Sequence, residues 1–201
     1  MGYRCLFALL FVALVGCGGG GSDGPQVTTL VLNPLSGRSG GVDSGGGVTT
    51  TAGAPVGDDP TLKGYRIVQA FSLDEIPAGV EILSAVYQNE QGEVVGEPYA
   101  TLGVVRVISA DIGASLGPED YAGPGLAVLH GTLSDGASLG VKTLDLTDFV
   151  RNQVAAGVES RLDIQLQFDD EHDSDGAFDQ AVFYGPARTP EMPGIVVRYR
   201  E

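Results

Sequence analysis

Residues 161–168 read RLDIQLQF, and this stretch predicts the fold class more clearly than any other. Its side chains alternate between two kinds: the apolar residues are Leu162, Ile164, Leu166 and Phe168, and the polar residues are Arg161, Asp163, Gln165 and Gln167. Successive side chains of a β-strand point to opposite faces of the sheet. A period of two therefore predicts a strand with one face packed on a core and the other face in water.

Similar runs lie on both sides of this strand, separated by glycine, proline, aspartate and serine. They predict strands at residues 64–72, 80–89, 101–110, 126–131, 140–146, 178–185 and 194–200. The dipeptide Gln91-Gly92 predicts a hairpin turn between neighbouring runs. The segment SGRSGGVDSGGGV at residues 36–48 predicts a long flexible loop, because it lacks the Lys-Ser/Thr pair and the helical pattern that follow a phosphate loop.

One segment has a helical pattern. In DLTDFVRNQVAAG, residues 145–157, Thr147 can cap the helix, the apolar residues fall on one stripe, and Gly157 can end it. Many short strands and a single small helix favour an all-β fold, an antiparallel jelly-roll β-sandwich with one short helix. A chain of 201 residues can bury one good core, so residues 27–201 are predicted to form a single β-sandwich domain.

The N-terminus has the pattern of an exported lipoprotein. Arg4 precedes an apolar run at residues 6–15, and the segment ends in Leu-Val-Gly-Cys at Cys17, which resembles a bacterial lipobox. We therefore expect a signal peptide at residues 1–16, lipidation of Cys17, and a flexible glycine-rich tether at residues 17–26. Because Gly18 follows the cysteine where an inner-membrane retention signal has aspartate, an outer-membrane location of the cell envelope is favoured.

Charge and cysteine content limit the function classes. The formal net charge is -15, with a pI near 4.3, and this disfavours nucleic-acid partners, which need clustered Lys and Arg. Cys5 is removed with the signal peptide and Cys17 carries lipid, so no disulfide is expected.

Three stretches resemble a known family. They are GYRIVQAFSLDEIPAGVEILSAVY, LDLTDFVRNQVAAG and AVFYGPARTPEMPGIVVRY, and they are similar to segments of DNRLRE-type β-sandwich domains. The chain departs from that family in lacking the naming hexapeptide and any tryptophan. The resemblance implies a jelly-roll module of the carbohydrate-binding or structural kind, carried on bacterial surface and secreted proteins and not catalytic.

The segment FDDEHDSDGAFD, residues 168–179, is the candidate metal site. The spacing of Glu171, Asp173, Asp175 and Gly176 resembles that of a calcium loop, and the Ala177 carbonyl and Asp179 could complete the shell. Since the segment lies between two predicted strands, we expect it to be a hairpin connection. The alternative is a solvated hairpin tip without an ion, because acidic residues with glycine and serine are common in turns.

Other catalytic or ligand sites have weaker patterns. The acids of residues 171–175 are separated by polar residues and sit in a turn, which disfavours the rigid carboxylate pair of a glycosidase. His172 is interpreted as a solvated loop residue and His130 as a strand residue near a sheet edge. Six tyrosines could stack on a sugar or pack in the core: Tyr65, Tyr87, Tyr99, Tyr121, Tyr184 and Tyr199.

These patterns predict a non-catalytic cell-envelope lipoprotein that presents a binding or structural module. Its partners would be the membrane, through the N-terminal lipid, and a glycan or an envelope protein. The alternatives are a hydrolase or lyase acting on polysaccharide, and a scaffold subunit of an envelope complex. Structural calcium is the candidate cofactor.

Overall fold

The computed structural model describes residues 24–50, 53–123, 127–156, 160–184 and 193–201, and most of its regular structure is antiparallel β. In chain order the strands are β1 (Val27–Leu32), β2 (Gly40–Asp43), β3 (Val48–Thr49), β4 (Gly53–Asp58), β5 (Gly64–Ser72), β6 (Glu81–Val95), β7 (Val105–Ser109), β8 (Leu129–Ser134), β9 (Gly140–Asp145), β10 (Arg161–Phe168), β11 (Asp179–Tyr184) and β12 (Gly194–Arg200). The helical segments are the single turn α1 (Pro98–Thr101), a 3-10 turn at Pro118–Tyr121, and α2 (Thr147–Ala156). The predicted mostly antiparallel β class is therefore confirmed, together with the predicted short helix.

The strands form one curled sheet in the order β1-β12-β6-β11-β4-β5-β10-β7-β8. Strand β2 attaches to β5 and β3, and β9 attaches to β6. The pairing of β1 with β12 places Val27 opposite Arg200, so the start and the end of the sheet-forming chain lie side by side.

The main apolar core lies inside the curl. The ring of Phe71 on β5 meets the ring of Tyr87 on β6 edge-on, with centroids 6.1 Å apart, although these strands are not neighbours in the sheet. Buried side chains from most strands surround this contact, among them Leu32, Val56, Ile67, Leu133, Ile164, Leu166, Phe183, Ile195 and Val197. Full burial of one such large side chain stabilises a fold by about 1.5–3 kcal/mol, so this core is the main source of stability.

The polar face of β10 is buried as well, so the prediction of one wet face is wrong. Asp163 is 8% exposed and Gln165 is fully buried. The segment between β7 and β8 covers them: the N–H of Ile112 donates to the Asp163 carboxylate at 3.0 Å, and the Gln165 amide donates to the carbonyl of Asp120 at 2.9 Å. Alternation of polar residues does not distinguish contact with water from contact with a loop that satisfies the same hydrogen bonds.

Strand β6 runs without interruption through Gln91-Gly92, so the predicted hairpin turn is wrong. The Gln91 amide is buried and donates to the carbonyls of Gly136 and Ser138 at 3.1 and 3.2 Å. Gly92 lies directly against the ring of Tyr184 on β11, where a Cβ atom would overlap the ring. The glycine here permits the close approach of a neighbouring side chain.

The segment at residues 36–48 also contains more structure than predicted. Strands β2 and β3 form a hairpin, and β2 pairs along β5. The Asp43 carboxylate accepts from the N–H groups of Gly45 and Gly47 at 2.9 and 3.0 Å, which holds the turn. The prediction of a long flexible loop is therefore wrong for this part of the segment. The Asp-Ser-Gly residues are the signal that could have indicated the hairpin turn.

Helix α2 begins at Thr147, but the threonine hydroxyl binds β6 rather than capping the helix. It accepts from the N–H of Ala85 at 3.0 Å and donates to the Asp145 carboxylate. This contact fixes the helix to the sheet. The predicted end at Gly157 lies outside the described residues. In the part of the chain that the structure describes, no helix combines the length and apolar character needed to cross a membrane.

Candidate functional site

The acidic segment connects two strands that are not neighbours, so the predicted hairpin connection is wrong. Strand β10 pairs with β5 and β7, whereas β11 pairs with β4 and β6. Because β4 and β5 lie between β10 and β11 in the sheet, the connection passes the ends of these two strands. The contact is direct: the N–H of Asp173 donates to Asp58 Oδ2 at 3.4 Å, across 115 residues of chain.

Three of the predicted ligands come together in this connection. Carboxylate oxygens of Asp173, Asp175 and Asp179 lie within 4.8 Å of one another. Asp179 is 2% exposed, Asp173 is half-buried, and Asp175 is exposed. The loop is held in shape by its own backbone, because the N–H of Asp175 donates to Asp173 at 3.0 Å and the N–H of Ala177 donates to Asp175 at 2.6 Å.

Asp58 lies beside this group, and the sequence did not indicate it. It ends β4 and is the cross-strand partner of Asp179 on β11. Its side chain is 1% exposed, and its Oδ1 atom is buried without a hydrogen-bond partner among the described residues. Burial raises the pKa of Asp58, and the nearby carboxylates of Asp173, Asp179 and Asp175 raise it further.

Glu171, predicted as the first metal ligand, lies elsewhere. Its carboxylate accepts from the Tyr121 hydroxyl at 2.6 Å and lies 4.0 Å from the Arg66 guanidinium. Arg66 in turn lies over the Tyr121 ring, 4.4 Å from its centroid. Glu171 is therefore occupied by a separate contact that fixes the first part of the connection to β5 and the 3-10 turn. Ala177 is predicted to contribute its carbonyl oxygen, but the contact observed for this residue is the donation from its N–H to Asp175.

Two glycines allow the backbone to approach the acidic group. Gly57 precedes Asp58 and Gly96 follows β6, and both have positive φ, at 128° and 70°. A Cβ atom at Gly57 would meet the Asp179 carbonyl, and one at Gly96 would meet the Phe178 carbonyl and the Asp179 carboxylate. The N–H of Glu97 then donates to Asp179 Oδ1, which fixes the orientation of that carboxylate.

An open groove lies at the start of α2, between β6, β8 and the end of β9. Its volume is about 590 Å³. The lining combines the apolar side chains of Leu129 and Phe149 with the polar groups of Ser84, Asp148 and Arg151. Leu129 is 58% exposed there. This mixture of apolar surface and hydrogen-bonding groups is typical of small-ligand sites.

His130 lies on β8, the last strand of the sheet order, as predicted for an edge position. Its ring meets the Phe149 ring edge-on with centroids 4.2 Å apart, and its Nε2 atom is buried without a partner in the described parts of the chain. Burial lowers the pKa of His130, so its imidazole is neutral at neutral pH. His172, in contrast, is exposed, with Nδ1 3.4 Å from the Ser174 hydroxyl.

Besides Tyr121, four of the six tyrosines donate their hydroxyl groups to hydrogen bonds within the protein. Tyr87 is fully buried and donates to Gln69 at 2.8 Å, and the Tyr99 hydroxyl donates to Ser134 at 2.9 Å. Tyr65 donates to Asp59 at 2.9 Å and Tyr184 donates to the Gly92 carbonyl at 3.2 Å. Tyr87 is fully buried, so the packing alternative describes this tyrosine.

No family model and no curated protein sequence matches this chain.

Proposed function

We propose that this protein is a non-catalytic, lipid-anchored protein of the cell envelope whose β-sandwich module binds a neutral glycan. The groove at the start of α2 is the observation that carries this proposal. The membrane is its first partner, through the lipid on Cys17, and the outer membrane is the proposed location. The signal peptide and Cys17 lie outside the described residues, so the anchoring part rests on the sequence pattern alone.

The composition of the groove supports a sugar ligand. A sugar ring presents apolar C–H faces and a rim of hydroxyl groups, and Leu129 and Phe149 can contact the former while Ser84 and Arg151 bind the latter. The net charge of -15 supports a neutral glycan over an anionic one, because an acidic protein repels a polyanion.

The carboxylates of the groove support binding rather than hydrolysis. Asp145 accepts from the Thr147 N–H at 2.8 Å and from the Thr147 hydroxyl, and these hydrogen bonds lower the pKa of Asp145. Asp148 forms an ion pair with Arg151 at 2.7 Å. A glycosidase needs one carboxyl group with a raised pKa as its general acid, and Asp145 has the opposite shift.

The contacts across the core support the sandwich arrangement, with jelly-roll connections as part of the proposal. The Tyr87 hydroxyl on β6 binds Gln69 on β5, in addition to the Phe71–Tyr87 ring contact. Two separated parts of the curled sheet thus face each other through interdigitated side chains, as the layers of a sandwich do.

A glycan array tests the binding role. The full chain with Cys17→Ala, released from the membrane, should retain a neutral oligosaccharide. Leu129→Glu should weaken that binding by about tenfold or more, because it places charge on the apolar side of the groove. Leu139→Glu is the matched control, since Leu139 is similarly exposed at 62% and is not a lining residue of the groove.

The outcomes separate the alternatives. Equal binding by the Leu129→Glu and Leu139→Glu proteins would exclude the groove as the glycan site. Shortening of a polysaccharide during the assay would favour the hydrolase or lyase. Retention of an envelope protein with no retained glycan would favour the scaffold subunit.

Cell fractionation tests the anchor separately. Replacement of Cys17 by Ala should move the protein from the membrane fraction to the soluble fraction, because the acyl chains supply the membrane affinity. Unchanged membrane association of the Cys17→Ala protein would disprove the anchor and leave the glycan test unaffected.

A further inference from the structure

The acidic group at the end of β4 has no positively charged partner among the described residues. The carboxylate oxygens of Asp173, Asp175 and Asp179 lie within 4.8 Å of one another, and Asp58, from a distant segment of chain, interacts electrostatically with all three. Within the described ranges, the ion pairs of the protein involve other acids, and none of these four carboxylates pairs with Lys or Arg. Crowded like charges without a counter-charge are unfavourable.

The lack of a counter-charge is most unfavourable at Asp58, because this carboxylate is buried. Its side chain is 1% exposed, its Oδ2 has a single long hydrogen bond of 3.4 Å, and its buried Oδ1 has no partner among the residues described. A carboxylate removed from water needs a partner of opposite charge or hydrogen bonds to both oxygens. The unpartnered oxygen belongs to a carboxyl group that faces Asp179 across the β4–β11 pair. Oδ1 is therefore the atom that Asp58 would contribute to a shared ion.

We infer that Asp58, Asp173, Asp175 and Asp179 bind one calcium ion, which joins the end of β4 to the β10–β11 connection. All four donors are carboxylate oxygens, the ligand type that hard divalent cations select. Calcium accepts six to eight oxygens in flexible geometry, so waters and bidentate carboxylates can complete this shell, whereas magnesium requires a near-ideal octahedron. This ligand set contains Asp58 in place of Glu171, which the sequence pattern had suggested.

The inferred ion has a structural consequence. Asp58 and Asp173 are 115 residues apart in the chain, and in the protein alone their connection is one long hydrogen bond. An ion that binds both ends ties the acidic connection to β4. Binding to the folded state only also stabilises the fold by mass action, so the melting temperature should depend on calcium concentration. This inference is independent of the glycan groove and of the lipid anchor.

Calorimetry and thermal unfolding of the purified full-length protein test the site. After treatment with chelator and its removal, titration with calcium chloride should release or absorb heat with a stoichiometry near one, and calcium should raise the melting temperature. Magnesium chloride at the same concentration should bind at least about tenfold more weakly.

Matched acid-to-amide variants locate the ion. Asp58→Asn and the exposed variant Asp175→Asn should each weaken calcium binding by at least about tenfold, because affinity depends on the number of charged ligands. Glu171→Gln removes the same charge from the same connection, and it should leave the calcium affinity unchanged. Asp175→Asn keeps the test informative if Asp58→Asn does not fold.

Each contrary result overturns the inference. An absence of heat and of a thermal shift at millimolar calcium would show that the group binds no calcium. An unchanged calcium response in both Asp58→Asn and Asp175→Asn would place any ion elsewhere. Loss of binding in Glu171→Gln, with Asp58→Asn unaffected, would favour the sequence-spaced loop in place of the inferred site.

Discussion

Asp163 and Asp58 are both buried aspartates, but their surroundings differ in one respect. Asp163 on β10 is bound by the Arg161 guanidinium at 2.7 and 2.6 Å and by the N–H of Ile112. Asp58 on β4 has three other acids nearby and an oxygen without a partner in the described chain. This fold therefore neutralises one buried acid with an arginine, whereas the described residues provide no counter-charge for the other.

The largest expected effect follows from removal of the internal counter-charge. Arg161→Leu leaves Asp163 buried and unpaired, so the free energy of unfolding should fall by about 3 kcal/mol, as is usual when one partner of a buried ion pair is lost. Urea unfolding followed by circular dichroism measures it. Combining Arg161→Leu with Asp163→Asn should restore part of the loss. A single variant as stable as the unsubstituted protein would show that Asp163 does not depend on Arg161.

Replacement by asparagine should change the free energy of unfolding in opposite directions at the two aspartates. In calcium-free buffer, Asp163→Asn should lower the free energy of unfolding by about 2 kcal/mol, because it weakens hydrogen bonds to a charged group. Asp58→Asn should raise it under the same conditions, since the neutral amide avoids both desolvation of a charge and repulsion from nearby carboxylates. Parallel urea titrations of the two variants decide the matter. Destabilisation of similar size in both would remove the distinction between the two sites.

Backbone approach at the acidic group can be tested with a pair of glycines. Gly96 and Gly79 both have positive φ, at 70° and 81°, but only Gly96 has neighbours that a Cβ atom would meet. Both Ala variants should lose about 1 kcal/mol of folding stability, because the alanine must adopt a left-handed backbone conformation. Gly96→Ala should cost about 1 kcal/mol more, because it displaces the backbone that binds Asp179. Thermal unfolding of the two variants compares them, and equal losses would indicate that Gly96 is needed only for its φ angle.

The smallest effect concerns a paired acid at the start of the same connection. Arg106 binds Asp169 at 2.7 Å, and its hydrogen bonds lower the pKa of Asp169 below the ordinary value of 3.8. A lowered pKa means that the contribution to stability is present above the ordinary value and is lost as pH falls through the folded-state pKa. Both side chains are partly exposed, at 32% and 41%, so the contribution should be below about 1 kcal/mol.

Acid unfolding curves measure this contribution. Asp169→Asn should flatten the decline in stability below pH 4 by a small amount, where the unsubstituted protein loses the Arg106 contact. Asp74→Asn, at an exposed position, is the control for the loss of one negative charge. Identical acid limbs for the Asp169→Asn and unsubstituted proteins would show that the ion pair contributes nothing measurable.

The sequence predicted those features that depend on neighbouring residues. The alternation in RLDIQLQF predicted β10 with the bounds that the structure has, and the pattern of residues 145–157 predicted α2. The grouping of Asp173, Asp175 and Asp179 was also predictable, because these residues lie within one short connection. The hairpin at Gln91-Gly92 was wrong because a glycine that makes room for the Tyr184 ring looks the same in the sequence as one that forms a turn.

The position of Asp58 beside the acidic group and the contacts of Glu171 with other segments were not predictable in this way. Asp58 lies 115 residues from Asp173, and the two meet only because β4 and β5 separate β10 from β11 in the sheet. Glu171 instead accepts a hydrogen bond from Tyr121 and pairs with Arg66, and these two residues come from two other segments. No spacing within the acidic segment carries this information.

The sequence by itself therefore determined the mostly β class, the short helix, the acidic net charge and the location of an acidic connection. Each of these follows from composition or from the period of side chains along a few adjacent residues. The order of the strands, the burial of the polar face of β10 and the meeting of Asp58 with Asp179 were decided only by the tertiary structure. The physical reason is that burial and the pairing of charges depend on which distant segments come into contact, and a local pattern does not specify that contact.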